Sequence, residues 1–593
     1  MRIITLVTTF LCSFPVFAQP SRQAKTTPHP TTTTHSPAPL TTPFERSNGT
    51  QTATYSECID FYKRLDKASP RLAIREMGMS DAGYPYHVVL FSNDGGFEPA
   101  VWHRRNKVVI LINNGIHPGE PDGIDASMMM LRDLVQGKIR LPDNIALAVI
   151  PLYNIGGALN RGSTSRANQN GPESYGFRGN AQNLDLNRDF TKSDTRDARS
   201  FAGIFHWVNP DIQIDNHVSD GADYQHTMTL LASQWNKLGQ GLGRFLHDTF
   251  QPALFTAMEQ KGWPMCPYVN FEDGSPEQGW EAFYDPPRYS SGYAALFHTI
   301  AFMPETHMLK PFRDRVYATY ALLGTIIDQA SLHGREILEL RKQSFTDDQQ
   351  PNRFALHWKA DTTKYDSIHF RGYEAAYKPS EVTGQSRLYY DHTHPFDREV
   401  KFFDYFVPDQ FVTPPQAYII PQGWHEVIDL LQLNGVYMQR MPRDTIIEVE
   451  AYHIDDYKTA PGAYEKHHRN TDVKCSTSRV SIKFLRGDYF IPTYQMARRF
   501  LVEMLEPTGE DSYFSWNFFD AILQQKEGYS DYRWEDLAAK LLKEHPDLRN
   551  KLDARKNADT AFARNAEAQL NFVYKNSPYY EPAHMRYPVY RLL

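Results

Sequence analysis

Four short apolar runs in the first half of the chain restrict what it can fold into: KVVILI (107–112), ALAVIPL (146–152), DIQI (211–214) and TIAFM (299–303). Each has the length of one buried strand, and each is followed at once by polar residues able to do chemistry. Between them lie helical stretches, one over 122–136 with an acidic start and Gly137 after its end, another over 313–332. Strands alternating with helices from about Tyr55 to Gln343 predict an α/β domain. In open α/β sheets ligands gather outside the carboxyl ends of the strands, which is where these polar residues fall.

A chain of 593 residues is too long for one ordinary core, so two or three domains are expected. Beyond about Ser344 the character changes. Residues 344–510 are rich in Tyr, Phe and His, with AYIIPQGW (417–424) and the alternating RVSIKFLRGDYFI (479–491), and predict a β-rich accessory region; 511–593 have helical spacing. Upstream, residues 1–18 place Arg2 before an apolar run and end in a small-residue cleavage pattern after Ala18, the anatomy of a secretory signal peptide. Pro15 interrupts that run, which is short of the roughly 20 apolar residues needed to span a bilayer, and no later segment is long enough. The expected location is therefore secreted or periplasmic. Residues 19–52, dominated by Thr, Pro and Ser, read as a linker, leaving 53–343 as the α/β region. A net charge of −7 with no cluster of Lys and Arg excludes a nucleic-acid partner. Past the signal the cysteines are Cys58, Cys266 and Cys475, with no zinc-finger spacing, so any metal must be held by His and carboxylates.

The strand over 107–112 runs into NNGIHPGEPDG, which puts His117 and Glu120 three residues apart in the loop leaving it. An imidazole and a carboxylate suit zinc, and a catalytic zinc takes three protein ligands with one position open. DIQIDNH supplies a third, His217, at the end of another strand. A single His after a strand is ordinarily a surface or hydrogen-bonded residue. A His-x-x-Glu pair at one strand end and a His at the next together describe a His2Glu site.

On these motifs the sequence resembles the zinc carboxypeptidases of the carboxypeptidase A type, the M14 family, over about residues 53–340. The resemblance implies a mixed sheet flanked by helices, one zinc ion per chain and a peptide or protein substrate with a free C-terminal carboxylate. Asn187 and Arg188, in NLDLNRDF, match the pair that holds that carboxylate, and a guanidinium is suited to it by its paired N–H donors. Asp185 matches the carboxylate that orients the first ligand His. Glu305, in FMPETH, matches the general base that takes a proton from the attacking water and passes it to the leaving amine. An Arg for the oxyanion is expected among Arg161, Arg166 and Arg178, with spacing favouring Arg166. A Tyr contacting the substrate end is expected among Tyr284, Tyr289 and Tyr293, with Tyr289 preferred. The sequence departs from the family at Gly119, where the digestive enzymes carry an Arg, and at 154–157, which read Asn-Ile-Gly-Gly.

The function this implies is hydrolysis of a C-terminal peptide bond. The same site would also serve a zinc amidase or deacylase acting on N-acyl amino acids, or an enzyme trimming cell-wall peptides, since Asn187 and Arg188 suit any free carboxylate. A reading of another class is a non-catalytic peptide- or glycan-binding protein that uses the aromatic accessory half; retention of Glu305 beside a complete ligand set argues against it.

Overall fold

The apolar runs become the middle of a nine-stranded mixed sheet. The computed structural model describes residues 40–271, 274–349 and 353–593, so the expected signal peptide and the linker as far as residue 39 lie outside the described residues. In chain order the sheet takes β1 (Leu72–Met79), β2 (Pro85–Phe91), β3 (Val108–Asn113), β4 (Ile145–Ile150), β5 (Ile212–Asp215), β6 (His217–Ser219), β7 (Met228–Ala232) and β8 (Met265–Pro267). A two-residue strand, β9 (Trp280–Glu281), belongs elsewhere, and β10 (Ile300–His307) completes the sheet. The spatial order is β1-β2-β4-β3-β5-β10-β7-β8, with β6 continuing the line of β5 alongside β10. The four runs picked out in the sequence are the four adjacent, mutually parallel strands β4, β3, β5 and β10. Every residue of β3 and β4 is buried, which is why their sequences are unbroken apolar runs and not alternating ones.

Helices cover the sheet. Asp122–Val135 starts directly after the β3 loop with Asp122 and Asp125 in its first turn, and packs against Tyr55–Ala68 and Phe312–Leu332. Arg196–Val208 is capped by the Thr195 hydroxyl and stopped by Asn209 in the left-handed region, which returns the chain into β5.

The linker reading of 19–52 is corrected over its described end. Thr42 and Glu45 form a reciprocal capping box that starts the helix Pro43–Arg46, and Phe44 is buried edge-on against Phe312. Glu45 pairs with Arg132, and Thr52 donates to the buried Asp125 at 2.5 Å. One aromatic and one capping box anchor a segment whose composition alone predicts a tether.

The second half is β-rich as expected, and it grips the first. The antiparallel pair β12 (Asp366–Pro379) and β13 (Ser386–Phe403) follows β11 (Phe354–Ala360), and β13 pairs in parallel with β9. Trp280, Tyr224, Cys266, Phe370, Phe396 and Phe402 form one buried cluster across that joint. Next come β14 (Phe406–Val412), β15 (Ala417–Ile420), β16 (Gln439–Arg440) and the long hairpin β17 (Thr445–Thr459) with β18 (Asn470–Phe484). The run 479–491 divides at a turn into β18 and β19 (Tyr489–Pro492). Helices Asp531–Glu544, Pro546–Ala558 and Ala566–Lys575 make up most of the C-terminal segment. Its end is not helical: β20 (Tyr590–Leu592) inserts between β15 and β17, so the chain finishes inside the accessory sheet.

His247 pins the two halves together, its Nε2 lying 2.9 Å from Asp366 and 3.3 Å from Asp404, with Asp248 against Nδ1. Burial pulls the imidazole pKa down, but Asp366, Asp404 and Asp248 outweigh it and push it up to about 10. A pKa raised by folding contributes stability that is complete below the unfolded value of about 6.5 and is lost as pH rises through about 10. His247→Gln should therefore destabilise by about 1–2 kcal/mol at pH 6. The difference from wild type should shrink steadily between pH 7 and 10 in urea-melt series.

Candidate metal centre and substrate cavity

The carboxyl ends of β3, β5 and β10 converge. After Asn113 the chain turns through Gly115 at φ 66° and places His117 and Glu120 in a fully buried loop that leads into Asp122–Val135. β5 ends at Asp215, and His217 opens β6 beside β10, in parallel register with Glu305. Two clusters of this length of chain thereby reach one point from strands that share hydrogen bonds.

Glu120 bridges the two imidazoles. Its Oε1 lies 3.2 Å from His117 Nδ1 and its Oε2 3.2 Å from His217 Nδ1. On the far side of each ring lies a second carboxylate: Asp185 is hydrogen-bonded to His117 Nε2 at 2.9 Å, and Asp215 sits 3.3 Å from His217 Nε2 without a well-aligned hydrogen bond. With Nε2 facing a carboxylate, each ring presents Nδ1 inward, as ligand imidazoles oriented by carboxylates do. The three donor atoms lie within 4.8 Å of one another. Tetrahedral zinc with bonds of about 2.0–2.2 Å needs donors roughly 3.3–3.5 Å apart, so these residues fit such an ion. Among the described residues the other grouping of this kind is His247, Asp366 and Asp404, which is more exposed and is satisfied as an ion pair.

Electrostatics follow from burial. Desolvation raises the Glu120 carboxyl, yet His117 and Arg166 beside it hold it well below the usual carboxylate range. Asp185 is likewise held far down, against burial, by His117, Arg178 and Arg188. At Glu305 burial prevails and pushes the carboxyl up to about 8, with His217 and Arg178 opposing the rise and Glu120 adding to it. A cation in the neighbouring cage acts in the lowering direction.

His117, Glu120, His217 and Glu305 line one cavity of about 480 Å³ together with Asn187, Arg188, Tyr289, Arg166 and Arg178. Arg166 Nη1 sits 2.9 Å from Glu120 and Arg178 Nη2 2.8 Å from Asp185. Arg161 lies elsewhere, donating to the carbonyls of Ala53 and Ser174. Gly119 has a local reason: a Cβ there would meet Arg166 Cδ at 2.7 Å, so the missing side chain makes room for this guanidinium. Arg188 donates from Nη1 to the Asn187 carbonyl at 2.8 Å, and the Asn187 side-chain oxygen is buried without a hydrogen-bond partner. Of the three tyrosines, Tyr289 faces the cavity, its ring 4.4 Å from the Arg188 guanidinium. Tyr293 is fully buried and donates to Asn434, and Tyr284 packs on Phe406. Leu231, Tyr268, Phe283, Met303 and Met308 give the cavity an apolar wall.

Sequence reasoning did not anticipate Asp215, the apolar wall, or the two accessory residues Tyr464 and Glu465 that reach Arg188 and Asp185. Asp215 had a signal, a carboxylate two residues before a candidate ligand His. The accessory pair had none.

Residues 58–233 match the family model described as zinc carboxypeptidase. Carboxypeptidase 2 of Trichophyton rubrum is 22% identical over 500 residues, covering 79% of this chain and 85% of the relative. Carboxypeptidase 2 of Trichophyton equinum is 22% identical over 511 residues, 81% of this chain and 86% of that one. Both alignments are too long to be confined to the α/β half. Carboxypeptidase A from Helicoverpa armigera is similar at 15% identity and a TM-score of 0.35, over 47% of this chain and 74% of that structure, too distant to build on. Through residues 58–233 and the relatives that match most of its length, the chain is a peptide-bond hydrolase similar to the zinc carboxypeptidases.

Proposed function

We propose that this protein removes residues from the C-terminus of peptides that end in a free carboxylate. One observation carries the reading: a single cavity holds the His117–Glu120–His217 cage, Glu305, and the Asn187–Arg188 pair. A cage alone fits many hydrolases, whereas a cationic clamp within the same cavity selects for chain ends.

His117, Glu120 and His217 would hold one zinc ion, which when bound polarises the scissile carbonyl and makes water more acidic. The remaining work falls to side chains. Arg188 and the Asn187 amide grip the terminal carboxylate, and Tyr289 closes against the substrate end. Glu305 takes the proton of the attacking water and returns it to the leaving amine, a task suited to a carboxylate whose basicity burial has increased. Arg166 donates to the developing oxyanion, with Arg178 on the same wall. Leu231, Tyr268, Phe283 and Met303 favour an apolar end residue. Arg288, the other cation near Tyr289, is neutralised by Asp511 at 2.6 Å and Glu510 at 3.2 Å and so does not select for an acidic one.

The protein is read as exported on the strength of residues 1–18. No described helix is long and apolar enough to cross a membrane. N-terminal sequencing of protein recovered from outside the cytoplasm should begin at Gln19; retention of residues 1–18 would overturn the export reading.

A mass-spectrometric time course with a mixed peptide library, run with zinc and with chelator, tests the activity. Free-ended peptides should shorten one residue at a time, amidated ones should persist, and chelator should stop the reaction. Glu305→Gln should lower kcat by about 10²–10⁴-fold while peptide affinity stays within a few-fold; loss of binding with unchanged turnover chemistry would assign Glu305 a different role. If zinc is bound and no peptide shortens, the substrate is not an ordinary peptide, and N-acyl amino acids and cell-wall fragments are the next to test.

The cage has its own test. Asp185→Asn keeps the shape but leaves the His117 ring without its charged partner, and should weaken zinc binding about 10–100-fold in competition with a chromophoric chelator. Unchanged affinity would remove Asp185 from that role.

A further inference from the structure

The tip of the β17–β18 hairpin, residues 460–469, reaches the back of the carboxylate clamp. Tyr464 Oη accepts from Arg188 Nε at 2.9 Å, and the Glu465 carboxylate accepts from the Asp185 backbone N–H at 2.8 Å. His467 adds a third contact, 2.8 Å from Asp194. The tip is a tight turn closed by reciprocal backbone bonds between Tyr464 and His467, with Glu465 at φ 47° and Lys466 at φ 77°. Those are positions where Gly or Asn would be at ease, so two side-chain-bearing residues are held there at some strain. Behind the tip Tyr464 stacks on the buried Trp516, which also carries Arg469 at 4.5 Å from its ring.

None of the hairpin's residues lines the cavity, so it acts on substrate through the residues it holds, Tyr464 through Arg188 and Glu465 through Asp185. The Arg188 guanidinium is bounded on one side by the Tyr289 ring, bonded through Nε to Tyr464 and through Nη1 to the Asn187 carbonyl, which leaves Nη2 and the second hydrogen of Nη1 for a substrate carboxylate. Tyr289 is itself between two cations, with Arg288 5.5 Å from its ring, and Arg288 is fixed by Asp511. The proposed anion-binding Arg188 is thus held directly by the accessory half, and Tyr289 beside it indirectly, through Arg288.

We propose that Tyr464 is a positioning residue for the substrate-carboxylate clamp, making the accessory half part of the machinery that recognises a free chain end. The proposal rests on the carboxypeptidase reading above. In Tyr464→Phe the ring and its stacking on Trp516 remain while Arg188 Nε loses its acceptor. KM for the free-ended peptide that wild type trims fastest should rise about tenfold, the size expected for one hydrogen bond to a charged group, with kcat within about twofold. KM does not depend on the fraction of protein folded, so partial misfolding cannot imitate the result. As competitive inhibitors, N-acetyl-phenylalanine should weaken by a similar factor and N-acetyl-phenylalaninamide should not. An unchanged or lowered KM overturns the proposal, and so does equal weakening of both inhibitors. If wild type trims no peptide, the function reading itself has failed; calorimetric binding of the two N-acetyl compounds to wild type and Tyr464→Phe then decides the positioning role by the same criterion.

Discussion

Glu120 is a carboxylate only about 2% exposed, and much of the site can be understood as the means of keeping it charged there. An unpaired buried carboxylate costs several kcal/mol. Glu120 has His117 and His217 on its two oxygens, Arg166 at 2.9 Å, Arg178 at 3.6 Å and the Val218 N–H at 2.9 Å. The last contact links two segments: the backbone that follows His217 is the same backbone that holds Glu120, so the two ligands cannot be displaced independently. Charge then alternates outward. The imidazoles rest on Asp185 and Asp215, and Asp185 is met by Arg178. The His117 Nε2 is engaged outward by a hydrogen bond to Asp185 and the His217 Nε2 is turned toward Asp215, so each ring keeps Nδ1 for the inside.

That alternation explains which parts of the site could be read from the chain. His117 and Glu120 are three residues apart, and the strand before them is one of four apolar runs whose ends had to share a sheet edge; β3, β5 and β10 being neighbours brings His217 and Glu305 to the same point. Asn187, Arg188 and Asp185 sit on one short turn in which the Asp185 side chain accepts from the Asn187 N–H, so their common location follows from local bonding. The departure at Gly119 also acquires a cause, since the space a side chain would fill belongs to Arg166.

Contacts without local or periodic cause were not legible. Phe44 is a lone aromatic in a Thr- and Pro-rich stretch, and only its tertiary neighbours Phe312 and Tyr317 show why residues 42–52 are folded. The choice between Arg166 and Arg178 depends on how a loop of mixed turns lies over the cavity, and both reach it. Tyr464 and Glu465 follow Arg188 and Asp185 by 276 and 280 residues. Their approach is set by the length of a hairpin and the way the second half of the chain packs on the first, neither of which leaves a spacing signature.

The docking itself is built from groups that fix direction. Lys192 is fully buried between Asp189 and Asp194, both at 2.8 Å, its ammonium 5.6 Å from the Trp516 ring, and His467 closes on the same Asp194. Removing three charged groups and an imidazole from water is expensive, and an apolar joint of equal area would hold the halves together as firmly. An apolar joint would also slide, because burial of hydrocarbon has no preferred direction. Hydrogen bonds between charged groups lose much of their strength within a few tenths of an ångström or tens of degrees. The Lys192–Asp194–His467 contact lies four to six residues along the chain from Arg188, so the register it imposes is transmitted through a very short length of backbone. The carboxylate clamp proposed for Arg188 would need its guanidinium placed to well under 1 Å, and the costly polar joint stands where that placement is decided.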